Sequence, residues 1–150
     1  MFTLSSRATL IFTAAVGAMA ALPARAAHEL EPGLWQLTET GTENGQPAKP
    51  EVSSDCLSPE DARDPVKAIL KDTEGQQCDT LNVKENGNTA TVEMKCVDSR
   101  KMRIEIDMTI NFASARHYSG TTKSLVIFGG QKIAAEKTVD AKWIAAVCKK

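Results

Sequence analysis

The sequence predicts a mainly β protein, a curled antiparallel sheet or small barrel of about seven strands carrying a short two-part helical insertion. Three stretches support this. In MRIEIDMTINF, Met102, Ile104, Ile106, Met108, Ile110 and Phe112 alternate without a fault with polar neighbours, the pattern of a strand with one buried face. Asn86-Gly87 separates two further alternating runs, a hairpin signal. CLSPEDARDP, residues 56–65, holds two helix starts, Ser58-Pro59 and Asp64-Pro65. Ser and Asp accept orphan N–H groups of a first turn, and Pro at the next position forfeits no hydrogen bond.

In chain order, residues 1–26 have a short basic start with Arg7, an apolar stretch from Ala8 to Leu22 and the ending Ala24-Arg25-Ala26. This is the pattern of a secretory signal, cleaved near Ala26. The apolar run is shorter than the roughly 20 residues that span a bilayer, so neither a membrane anchor nor any later span is expected. Residues 27–150 should then form one disulfide-bonded β domain, periplasmic or secreted. Residues 33–40 read as a strand with Trp35 and Leu37 inward, and 51–57 as a second. Pro65 would clash inside a continuous helix, so a turn from Pro59 to Arg63 ends before a second helix from Pro65 to Leu70. Helices this short are unstable alone. Ala62, Val66, Ile69 and Leu70 give them an apolar patch to dock with.

Leu81 and Val83 lead into the Asn86-Gly87 turn, and Ala90, Val92, Met94 and Cys96 lead out of it, with Val83 expected opposite Ala90 and Leu81 opposite Val92. Further hairpin connections are expected at 97–101, 112–116 and Gly129-Gly130. In the last segment Ile133, Ala135, Val139, Ala141, Trp143, Ala145 and Val147 share one parity, which predicts a strand. Val139, Trp143 and Val147 also fall at i, i+4 and i+8, so a helix over 139–148 is the competing reading.

All four cysteines follow the signal, and an even number in an oxidising compartment reads as two disulfides. None has the short spacing of a zinc knuckle. Strand direction selects the pairing. Cys78 opens one arm of the hairpin and Cys96 closes the other, so both lie at one end of the sheet. Three further antiparallel strands leave Cys148 at the opposite end, where it reaches Cys56. The expected register puts Cys78 opposite Lys95, one place off Cys96, and so asks for a bulge at Cys78. Loss of Arg7 and Arg25 reduces the 18 basic residues to 16 against 19 acidic, a net charge of −3. That argues against nucleic acid or an anionic membrane as partner.

The two histidines are His28, beside the expected cleavage point where chain ends fray, and His117. There is no G-x-S-x-G, phosphate loop or metal-ligand spacing, and no catalytic residue, cofactor or metal is expected. Arg100, Lys101, Arg103, Arg116 and His117 could be grouped as a basic patch, but Lys and Arg that guard strand edges against aggregation are the reading taken. The function expected is a non-enzymatic exported module that binds an envelope partner or a small apolar ligand. The alternatives are an undetected hydrolase using His117, a lipocalin-like carrier of an apolar ligand, and a purely structural envelope protein. Weakly held elements tend to open for ligands. The candidate binding region is therefore the space between Val66, Ile69 and Leu70 of the helical segment and the strand face carrying Ile104, Ile106 and Met108. In the competing reading the segment is a fixed plug that completes the core.

PGLWQLTET, DCLSPEDARDP, the lone Cys78, a strand ending in Cys96 and the terminal Cys148 together resemble the bacterial family of exported proteins called domain of unknown function 3617. The resemblance covers nearly all of the chain after the signal. It departs at AKWIAAVC, which stands where the family usually has a basic pair and a Gly before the final Cys. It implies an exported, mostly antiparallel β domain with no assigned activity. Gly33-x-Trp35 is also similar to the G-x-W that opens lipocalin-like barrels, but Trp35 is read here as filling the core.

Overall fold

Each alternating run becomes a strand, and each Ser-Pro or Asp-Pro pair starts a helix. The computed structural model describes residues 28–148 apart from 72, 74 and 75, so the expected signal segment lies outside the described residues. The strands are β1 Gly33–Glu43, β2 Gln46–Pro47, β3 Glu51–Leu57, β4 Gln77–Asn86, β5 Thr89–Val97, β6 Arg103–Ser114, β7 His117–Phe128 and β8 Gln131–Ala145. The helices are α1 Pro59–Arg63 and α2 Pro65–Lys71. The double start is thus real. Ser58 Oγ accepts from the Asp61 N–H at 3.1 Å to cap α1, and Asp64 Oδ1 accepts from the Lys67 N–H at 3.0 Å to cap α2.

The strands form one antiparallel sheet in the order β2-β1-β8-β7-β6-β5-β4, with β3 also paired to β1. The sheet curls but does not close. It ends at β3 on one side and β4 on the other, and α1 and α2 lie in the connection between these two edges. The strand beyond the expected seven is the two-residue β2. It folds back on β1 through Asn44 (φ 50°) and Gly45 (φ 77°), a pair with the same turn signal as Asn86-Gly87. Residues 139–145 are strand, not helix, because β8 pairs along both flanks with β1 and β7.

The β4–β5 register differs from the expected one. The turn is centred on Gly87-Asn88, with Gly87 at φ 60°, the arrangement of a turn that needs glycine at its first central position. Val83 therefore faces Val92 and Leu81 faces Met94. The irregularity expected near Cys78 falls between Cys78 and Thr80, where Asp79 is the extra residue, and it brings Cys78 opposite Cys96. The disulfides are Cys78–Cys96 and Cys56–Cys148. Each fastens one edge strand to the sheet: Cys78 lies on β4, and Cys56 on β3.

The inner face packs Trp35, Ala90, Val92, Ile110, Phe112 and Ala141 against Ala62 and Val66 of the helices. Parity puts polar side chains outside. One outer row runs Thr40, Thr138, Thr121, Thr109, Thr91 across five adjacent strands in register. Cross-strand threonine pairs suit a solvated sheet face.

Candidate functional site

The chain enters the sheet as a strap over residues 28–32. The Leu30 N–H donates to the Ala62 carbonyl at 2.8 Å and the Glu31 N–H to the Ala115 carbonyl at 2.7 Å, which ties the strap to α1 and to the β6–β7 turn. Both indoles hold it as well. Trp35 Nε1 donates to the Glu31 carbonyl at 2.9 Å and Trp143 Nε1 to the Pro32 carbonyl at 3.0 Å, with the Arg116 guanidinium 4.4 Å over the Trp143 ring. His28 corrects the expectation of a frayed end. It is 4% exposed, stacks on Phe112 at 4.4 Å, and brings Nε2 to 3.3 Å from a Glu85 carboxylate oxygen on β4.

From His28 an aromatic file crosses the inner face. Phe112 meets Tyr118 at 6.2 Å and Tyr118 meets Trp35 at 5.5 Å, both tilted, within the range where aromatic pairs attract. Beside this file lies a cavity of about 370 Å³, walled by Trp35, Leu37, Ile110, Phe112 and Tyr118 on the sheet and by Pro65, Ala68 and Ile69 of α2. A second cavity of about 230 Å³ shares Leu37, Ile69, Ile110 and Tyr118 with it and continues to Met108, Gly120 and Val139. The two adjoin as one apolar trough beneath α2.

Charged groups line its mouths. Asp55, Asp61 and Lys71 stand at the first cavity, Glu39 and Lys137 at the second. Lys71 bonds Asp61 and lies 3.5 Å from Glu60. The Lys71 hydrogen bond, followed by that of the Ser58 hydroxyl, holds the Asp61 carboxyl below the usual range. Lys137 donates to Glu39 at 2.9 Å and is raised by it. Burial, with the charges of Asp55 and Glu39 behind it, pushes the Tyr118 hydroxyl up, so Tyr118 is neutral near pH 7.

Of the residues singled out from the sequence, Ile69 and Met108 line the trough. Val66 is 3% exposed and belongs to the core, while Leu70 is half-buried against it. Ile106 and Ile104 continue the inner face along β6 beyond Met108, half-buried and outside both cavities. The helical segment thus divides: Ala62 and Val66 plug the core, and α2 beyond Val66 covers the trough. Trp35, Phe112 and Tyr118 form its floor, and of these only Tyr118 lay outside every motif and alternating run read from the sequence. Alternation placed Trp35 and Phe112 inward, but their meeting depends on strand order.

The suggested basic patch does not assemble. Arg100 and Lys101 sit in the β5–β6 turn, where Arg100 binds Asp98, and Arg116 in the β6–β7 turn at the other end of β6. Arg103 lies on an interior strand, so edge protection does not explain it either. His117 is on the outer face. Its Nε2 lies 2.8 Å from Asp140 Oδ2. His117 first, then Lys142, keeps the Asp140 carboxyl low.

No group of three or more metal-binding side chains is gathered among the described residues, and no helix there is long and apolar enough to cross a membrane. The family model described as "Protein of unknown function (DUF3617)" matches residues 30–148. The chain belongs to the DUF3617 family. The match begins at Leu30 on the strap and ends at Cys148, so this DUF3617 domain includes both disulfides and every wall of the trough. No curated protein and no solved structure matches the DUF3617 chain.

Proposed function

We propose that the protein is exported on residues 1–26 and works in the cell envelope as a non-enzymatic module that holds a small apolar ligand beneath α2. The observation that carries this reading is the pair of adjoining cavities. The larger, at about 370 Å³, is within the usual size for a ligand site, about 300–1,000 Å³. An apolar floor with a few polar groups at the mouths is how such sites are generally built. The two disulfides and the leader pattern support an oxidising destination. Ile104 and Ile106 offer a longer tail room beyond Met108, which keeps them in the proposed binding region.

Native mass spectrometry of protein recovered from the exported fraction tests both parts. The chain should begin at Ala27 and retain an apolar adduct, and Ile69→Trp, which fills the wall shared by the cavities, should lose that adduct while keeping the fold. A full-length species, or a protein that neither carries nor takes up any apolar probe, would overturn the proposal. Hydrolase activity is the weaker reading, because His117 faces away from the trough. Turnover abolished by His117→Ala would reverse that order.

A further inference from the structure

We propose that the ligand is a cationic amphiphile: an organic ammonium headgroup on a single apolar chain, with the headgroup between Asp55 and the rings of Trp35 and Tyr118. This rests on the trough being a ligand site. Three carboxylates and two ammonium groups line the two mouths, and both ammonium groups are already engaged. Lys71 is held by Asp61 and Glu60, and Lys137 by Glu39, with Glu51 and Glu43 adding to the field around it. Neither is free to receive an anionic head.

Asp55 differs. It lies on β3 directly across from Trp35, so their side chains share the inner face about 5 Å apart at Cβ. Its Oδ1 accepts from the Cys56 N–H at 2.7 Å, and no cation lies within ion-pairing distance of it among the described residues. Its charge reaches the Tyr118 hydroxyl inside the trough. Trp35 and Tyr118, 5.5 Å apart, line the same cavity as Asp55, and aromatic rings attract ammonium groups. An unpaired carboxylate beside two aromatic rings at the end of an apolar channel favours an alkylammonium over an alkyl anion on both counts. The tail then runs past Ile69 and Ile110 toward Met108.

A series with one tail and three heads separates the inference from the reading beneath it. Decyltrimethylammonium, decyl sulfate and decyl maltoside, each below its micelle concentration, are titrated into the mature protein by calorimetry. The ammonium should bind about tenfold tighter than the other two, the worth of one charge at a partly hydrated rim. Added salt should reduce that advantage. Asp55→Asn, which keeps an acceptor for the Cys56 N–H, should bring the ammonium to the level of the maltoside and leave the maltoside unchanged. Asp107→Asn, the same charge removed from the outer face, should change neither. Equal affinities, or a preference for the sulfate, would overturn the cationic assignment and leave the trough as a ligand site. Failure of all three to bind, or binding indifferent to Ile69→Trp, would overturn both.

Discussion

Gly33 has a φ of 129°, and a Cβ placed there would collide with the Ala145 carbonyl oxygen and lie 2.9 Å from the Ala146 Cα. Side chains rarely adopt that backbone region, and the chain opposite is backbone that cannot swing aside. Gly33→Ala is therefore expected to destabilise the fold by about 2–4 kcal/mol, seen as a lower denaturant midpoint at unchanged slope. A variant within about 0.5 kcal/mol of wild type would show that β8 yields at this point. Single residues were unevenly legible from the sequence. Trp35 was placed inward by alternation alone, and its 2% exposure agrees. His28 was not, because its burial depends on the strap crossing to α1 and β4, and no local pattern records a crossing. Asn44-Gly45 carried a turn signal as strong as Asn86-Gly87, and reading it would have supplied β2.

The elements most fully readable were α1 and α2, because capping and proline chemistry are local: Ser58 and Asp64 sit where their oxygens are needed. Register was not local in that sense. A one-residue displacement of the turn to Gly87-Asn88 moved every β4–β5 pairing, and the outer threonine row exists only once four registers are known. The helical pair has a predictable weakness. Asp61 joins α1 to α2 by bonding Ser58 Oγ and Lys71 Nζ, and its folded pKa lies below the ordinary value. A depressed carboxyl stabilises the fold above its ordinary pKa of about 4, and that contribution is lost as pH falls through the lower folded value. Hydrogen-exchange protection over residues 59–71, taken relative to the intrinsic rate at each pH, should fall below about pH 4, ahead of that of the central strands. Asp61→Asn should exchange faster at neutral pH and show no such step. An identical acid step in that variant would assign the loosening to other carboxylates.

At the scale of the molecule, the β class, the curl, the helical insertion and both disulfide pairs were legible, because periodicity and strand direction are carried by the chain itself. Whether the sheet closes was not legible, since closure depends on whether β3 and β4 meet. The helices stand in the connection between these two edges, and α2 covers the trough on the inner face. Exposed apolar side chains mark both edges, Val52 on β3 at 62% and Leu81 on β4 at 47%, and exposed edges invite pairing with other chains. Each edge has its own covalent bond, and the two bonds differ in reach. Cys78 and Cys96 are 18 residues apart on one hairpin, whereas Cys56 and Cys148 are 92 apart and meet only where the start of β1 lies between the end of β3 and the end of β8. Closing the longer loop costs about 1.5 kcal/mol more in chain entropy, roughly tenfold in frequency of encounter. Oxidative refolding trapped by alkylation should therefore pass through a species holding Cys78–Cys96 alone. Early accumulation of Cys56–Cys148 without it would contradict that order. The inner ring lies wholly within the outer one, so neither bond has to open for the other to form. The outer bond then serves as a certificate of assembly, since a chain that carries it has already brought β3 to the end of β8 across the start of β1. The intensity of the doubly oxidised band on a non-reducing gel thus counts finished molecules.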